Sequence, residues 1–218
     1  MASLAVPVSA IPAIHQRRQL PAAIPTHRRP PPVQRHATAC PRVVRVRWTP
    51  PRPGWYKLNF DGSVRHDGSG RASIGGAIRD CAGRIVAAFA ERTGHAPIGV
   101  VEARALIRGL RLAHESGFID RLFVEGDDLT LVRLLRGESR QTRISRDMEE
   151  HILELLGRFR GGCEVQHIYR EGNQVADALC REAHRCPGVW IGQIVPFHVY
   201  EKAEDDRHGV VHERMLAV

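Results

Sequence analysis

Four carboxylates stand where a soluble chain has little structural use for them. Glu102 lies in a helical pattern over residues 99–116. At 100° per residue, Leu106, Gly109 and Ala113 fall within roughly 40° of it, while Arg104, Arg108, Arg111 and Glu115 take the opposite side. A carboxylate aimed from the middle of an apolar arc costs several kcal/mol unless it is partnered. A buried ion pair or a first-turn hydrogen bond is one solution, since Glu suits a helix start. Ligation of a metal ion is the reading we favour. Asp61 shares a strand face with Lys57 and Asn59, and Asp is depleted in strands, so its presence asks for a reason. Asp127 follows the apolar pair Leu122 and Val124. It is either a helix N-cap or, if Asp128 takes that duty, a carboxylate left at the end of the sheet. Asp177 sits one turn into a last helix, with Val175 and Leu179 turned away from it; a solvated surface Asp is the alternative there.

The elements that must position these groups follow from periodicity. Tyr56, Leu58 and Phe60 alternate with Lys57, Asn59 and Asp61, which predicts a half-buried strand. Residues 72–80 and 84–92 are two more strands, joined by the tight turn Asp80-Cys81-Ala82-Gly83. The three form an antiparallel meander. A helix over 99–116 ends at Gly117, a strand runs from Arg121 to Gly126, and Asp127-Asp128 opens a helix reaching Gly137. Residues 144–159 are helical by the spacing of Ile144, Met148, Ile152, Leu155 and Phe159. A fifth strand over 164–169 and a helix from Asn173 to His184 complete the order βββαβααβα, an α/β fold with a mixed five-stranded sheet flanked by helices. Beyond Pro187 the pattern weakens. Residues 189–199 are a candidate extra strand, and the final residues read as a loose C-terminal extension over 187–218.

Composition sets the surroundings. The chain has 218 residues and a net charge of +8, room for one generous domain. No apolar run is long enough for a membrane span, and no membrane partner is expected. Five Cys without a CxxC pair argue against a disulfide framework or a zinc site and for a reducing compartment. Residues 1–54 hold nine Arg and no Asp or Glu, whereas residues 55–218 hold 23 Lys and Arg against 24 Asp and Glu. The positive excess therefore belongs to the leader, and the global charge is poor evidence that the domain grips nucleic acid. Residues 1–47, rich in Pro, Ala, Arg and His, bury too little to fold alone. Their Met-Ala-Ser opening and lack of acidic residues suit an organelle transit peptide, most simply to the chloroplast, or otherwise the mitochondrion. A basic tail that holds nucleic acid in the nucleus or cytosol is the competing reading.

The segments Asn59-Phe60-Asp61-Gly62-Ser63, Glu102-Ala103-Arg104-Ala105-Leu106, Glu125-Gly126-Asp127 and Arg170-Glu171-Gly172-Asn173-Gln174-Val175-Ala176-Asp177 occur in a telling order. Together with Trp48-Thr49-Pro50-Pro51, Gly76-Ala77-Ile78-Arg79-Asp80 and Gly109-Leu110, they resemble the type 1 ribonuclease H domain over residues 48–186. The match is closest to its plant, reverse-transcriptase-like subgroup. The resemblance implies a ribonuclease H-like fold and a catalytic, metal-binding quartet of Asp61, Glu102, Asp127 and Asp177. It further implies two Mg²⁺ ions, or Mn²⁺, and an RNA–DNA hybrid whose RNA strand is hydrolysed, with Asn59, Gly62, Ser63, Arg170 and Asn173 at the substrate. Oxygen ligands with several retained waters suit Mg²⁺, and a pair of such ions serves in-line phosphodiester hydrolysis.

Two departures matter. Many members of that family place a His in the loop before the last helix, and here the loop reads Tyr169-Arg170-Glu171-Gly172, with Arg170 or Glu171 as candidate substitutes. His167, on the preceding strand, reads as structural. The family's basic protrusion is reduced to Arg136, Arg140, Arg143 and Arg146, which serve equally well as solvated surface. A monomeric nuclease is expected, and a non-catalytic nucleic-acid-binding module of the same fold is the alternative.

Overall fold

The computed structural model describes residues 42–140, 143–192 and 194–216. The meander is strand β2 (Tyr56–Val64), β3 (Ala72–Arg79) and β4 (Ile85–Thr93), preceded by a short β1 (Arg42–Val46). There follow helix α1 (Ile98–Glu115), β5 (Arg121–Gly126), α2 (Leu129–Leu135), α3 (Arg146–Gly157) and β6 (Gly162–His167). A 3₁₀ turn at Arg170–Gly172, α4 (Gln174–Glu182), β7 (Gly188–Ile191), α5 (Phe197–Arg207) and β8 (His212–Leu216) complete the order. The main sheet runs β6-β5-β2-β3-β4-β7, with β5 parallel to its neighbours and the rest antiparallel. The five expected strands are all present, and β7 adds a sixth inside the stretch that the pattern left open.

Leu58 and Phe60 of β2 pack under α1 with Val101, Leu106 and Leu110, forming the main core with β5 and α3. Gly109 lets α1 come that close, because a Cβ there would lie 2.7 Å from the Leu58 methyls. α4 and α5 cover the other face through Val175, Leu179, Val199 and Ala203. β2 is therefore not the half-buried strand that its alternation predicts. Its polar face is sealed as well, with Lys57 3% and Asn59 0% exposed.

The sealed face is a hydrogen-bonded ionic network. Lys57 Nζ lies 2.6 Å from Glu125, and Asn59 accepts from Trp48 Nε1 at 2.9 Å and from Arg79 Nη2 at 2.8 Å. Arg79, fully buried, lies 3.5 Å over the Trp48 ring and pairs with Asp206 of α5 at 2.6 Å. A buried charge is tolerated only with such partners.

The predicted boundaries change accordingly. β1 and β8 pair antiparallel, Arg42 opposite Leu216, so residues 42–47 belong to the folded unit and not to a leader. Residues 1–41 lie outside the described residues. The segment 187–218 is no loose extension: β7 joins the sheet and α5 supplies the counter-ion for Arg79. No helix among the described residues is long and apolar enough to cross a membrane.

Candidate active site

Three elements bring carboxylates to one end of the central strands. Asp61 lies on β2, Glu102 on the second turn of α1, and Asp127 directly after β5. One oxygen of each lies within 4.8 Å of the others. Glu102 is held by the Gly62 amide, which donates to its Oε2 at 3.0 Å. A side chain at Gly62 would meet the Glu102 backbone nitrogen at 2.6 Å, so this close approach requires glycine. Asp128 caps α2, accepting from the Thr130 and Leu131 amides at 2.8 and 3.1 Å. Asp127 is thereby released from capping, as the sequence allowed. Its Oδ1 is buried with no hydrogen-bond partner.

The electrostatics of the cluster are unfavourable as it stands. Burial, then the charge of Asp127, pushes Asp61 from 3.8 up to about 7. Burial, then Asp61, Asp127 and Asp128, raises Glu102 well above the usual carboxylate range, and burial raises Asp127. Neither the ion-pair nor the cap explanation for Glu102 holds, because its bonded partner is an amide and its near neighbours are anions. The guanidiniums whose fields reach Asp61, those of Arg170 and Arg181, are ion-paired with Asp177. Oxygen-only donors, mutual repulsion and an orphaned buried oxygen are the properties of a site for a hard divalent cation. A cleft of about 260 Å³ lined by Glu102, Asp127, Asp128 and Arg143 opens beside it.

The other expected site residues divide. Asp177 is outside the three-carboxylate set. It lies on α4, its side chain 14% exposed, bonded to Arg170 at 3.2 Å and to Arg181. Ser63 is half-buried on the strand face of Asp61, and Arg170 is 72% exposed at the start of the 3₁₀ turn. Three residues expected at the substrate also make bonds that hold the fold and the cluster together. Asn59 spends its amide on Trp48, Arg79 and Glu125, Gly62 aims Glu102, and Asn173, 1% exposed, donates to the Phe60 carbonyl at 2.9 Å. That last bond ties the start of α4 to the strand of Asp61. Glu171 is not available as a substitute for a loop His, since Arg214 of β8 donates to both its oxygens at 3.0 Å. His167 ends β6 within reach of the Asp127 charge; burial lowers its pKa.

Sequence reasoning missed Cys180, whose thiol donates to the Asp61 carbonyl at 3.0 Å. Nothing in its spacing distinguishes it from a core residue. A cavity of about 620 Å³ lined by Ile85, Val195, Phe197 and Tyr200 holds none of the four candidate carboxylates. Chemistry, not volume, locates the site.

A mixed sheet whose central parallel pair and first helix converge three carboxylates at one end defines the ribonuclease H-like class. The profile of the reverse transcriptase-like family matches residues 59–183, and the chain belongs to that family. An Arabidopsis thaliana protein named as a ribonuclease H protein is 31% identical over 184 residues, 81% of this chain but 27% of the relative. The chain thus spans about a quarter of that relative's length. The type 1 ribonuclease H of the archaeon Halobacterium salinarum superposes with a TM-score of 0.52 at 27% identity, covering 60% of this chain and 98% of that one. LC11-RNase H1, solved in complex with an RNA/DNA hybrid, gives 0.54 at 26%, covering 59% and 95%.

Proposed function

We propose that the protein is a metal-dependent endonuclease that hydrolyses the RNA strand of RNA–DNA hybrids. The observation that carries the reading is the cluster of Asp61, Glu102 and Asp127, two buried and one half-buried, with one oxygen of each within 4.8 Å of the others. Those three would hold Mg²⁺ or Mn²⁺, with Asp177 beside them as a fourth carboxylate. When bound, such ions supply Lewis-acid stabilisation of phosphate charge and a more acidic water. The protein's own part is positional. Gly62 and Asp128 aim Glu102 and free Asp127, Asn173 locks α4 onto β2, and Arg170 offers an exposed guanidinium to a phosphate. The solved complex of LC11-RNase H1 supports the choice of a hybrid as substrate, and RNA would be distinguished by its 2′-hydroxyls.

A second reading, a binding module with little turnover, draws on one observation: Asp177 is occupied by two arginines. Matched RNA–DNA, RNA–RNA and DNA–DNA duplexes incubated with Mg²⁺ and with EDTA separate the two. Cleavage of the hybrid alone, abolished by EDTA, supports the nuclease; binding without cleavage selects the module. The leader, shortened to residues 1–41 because β1 begins at Arg42, is proposed to address the protein to the chloroplast. A fluorescent fusion of residues 1–60 should label plastids in plant cells, and diffuse or nuclear signal would refute that address.

A further inference from the structure

The sheet face that carries Asp61 leads to a second concentration of charge. Ser63 of β2 is opposite Ser73 of β3, which is opposite Arg92 of β4. Opposed residues and residues two apart share a face, so Asp61, Ser63, Ser73 and Arg92 all lie on the side of α4. Arg65 and Arg71 continue this face at the open end of the hairpin, where the Arg65 amide donates to the Arg71 carbonyl at 2.9 Å. Arg92 reaches the last turn of α4, donating from Nε and Nη2 to the Ala183 and His184 carbonyls at 3.1 and 2.8 Å. With Arg71, Thr93 and His184 it lines a cleft of about 290 Å³.

The charges here do not balance. Asp67 sits 3.8 Å from Arg65 and 3.3 Å from Arg71, so one carboxylate serves two guanidiniums, while the third, Arg92, is bonded to backbone carbonyls. The His184 imidazole registers the same convergence: partial burial, then Arg65, Arg71 and Arg92, lower its pKa against the pull of Asp67. Residues 55–218 carry 23 cations against 24 anions, so this excess is created by folding and is invisible in the composition. Two strand spacings and one two-residue step place Arg92 roughly 12 Å from Asp61, a few phosphates along a nucleic-acid strand.

We propose that the cleft lined by Arg71 and Arg92, with Arg65 beside it, is a second contact for nucleic acid, gripping a backbone phosphate a few nucleotides from the carboxylate cluster. Guanidinium forks suit phosphate, and such a contact fixes register without reading sequence. The inference rests on the nuclease reading and deepens it.

The test is the salt dependence of hybrid binding by the full chain in EDTA, compared with Arg65→Gln, Arg71→Gln and the double variant. Arg158→Gln, exposed on the far side of α3's end, is the control. Each lost phosphate contact should flatten log K against log salt by roughly 0.9, so the double variant is expected to lose between about 0.9 and 1.8, and the control nothing. A separate titration with inorganic phosphate distinguishes a free-anion site. An unchanged slope in the double variant, with the wild type binding and cleaving hybrid, overturns the contact and leaves the nuclease standing. Phosphate binding lost in Arg71→Gln with an unchanged hybrid slope likewise overturns it, in favour of a free anion. A wild type that binds no hybrid overturns both readings.

Discussion

Replacing Asp61 by Asn should make the metal-free protein more stable at neutral pH while removing its response to Mg²⁺. In the folded chain Asp61 titrates near 7 instead of 3.8, first because it is buried and then because Asp127 is close. Below about pH 4 the carboxyl is protonated in both the folded and the unfolded chain, and the folded state bears no penalty. As pH rises toward 7 the unfolded chain ionises first, so this contribution to stability is lost progressively across that window. The gap between 3.8 and about 7, at about 1.4 kcal/mol per pH unit, is worth about 4 kcal/mol at pH 8. Asn carries no charge, so the variant escapes this loss and also relieves Glu102 and Asp127 of one repelling neighbour. Urea unfolding of both proteins in EDTA between pH 4 and 8 measures the difference directly. Carboxylates elsewhere whose pKa is lowered, such as Asp67 and Glu171, contribute equally to both proteins and cancel. The two curves should diverge by a few kcal/mol above pH 7, and 10 mM or so of Mg²⁺ should then raise the wild type alone. Parallel curves from pH 4 to 8 would show that Asp61 is not a repelled buried carboxylate, and the metal-site argument would fall with it.

Glu102→Gln and Asp127→Asn should each reduce hybrid cleavage by more than the roughly 10–100-fold typical of losing an outer-shell partner. Asp177→Asn should cost less, since that carboxylate is outside the three-oxygen set; single-turnover cleavage ranks them, and undiminished activity in either of the first two refutes the assignment. Asp206→Asn leaves the fully buried Arg79 without its counter-ion and should lower stability by about 3–5 kcal/mol, read as an earlier denaturation midpoint; an unshifted midpoint would mean that α5 is dispensable. Gly62→Ala, whose new methyl would sit 2.6 Å from a backbone nitrogen, should cost about 1–3 kcal/mol. It should also weaken the stabilisation by Mg²⁺, because Glu102 loses its aim; intact Mg²⁺ stabilisation contradicts that role.

The elements and the carboxylates were largely legible in the chain, because they depend on local periodicity and on local cost. The alternation around Phe60, the apolar arc around Glu102 and the spare Asp beside Asp128 are each visible within a dozen residues, and each is an element or a carboxylate that the fold retains. What the sequence could not supply is whatever depends on which surfaces meet. Asn59 looks like a polar residue on an open strand face until α5, more than a hundred residues later, brings Asp206 to Arg79 and closes that face. β1 and β8 lie near opposite ends of the described chain, and neither strand has a pattern strong enough to announce its partner. Asp177 comes from the same resemblance as the other three carboxylates, yet it is ion-paired with Arg170 and Arg181, a matter of side-chain geometry that spacing along the chain does not show. The same reason makes the grouping of Arg65, Arg71 and Arg92 unreadable from charge counts. Net charge sums over the whole chain, whereas a phosphate responds to the few guanidiniums within reach, and only tertiary pairing of β2, β3 and β4 puts those three at one end of the sheet.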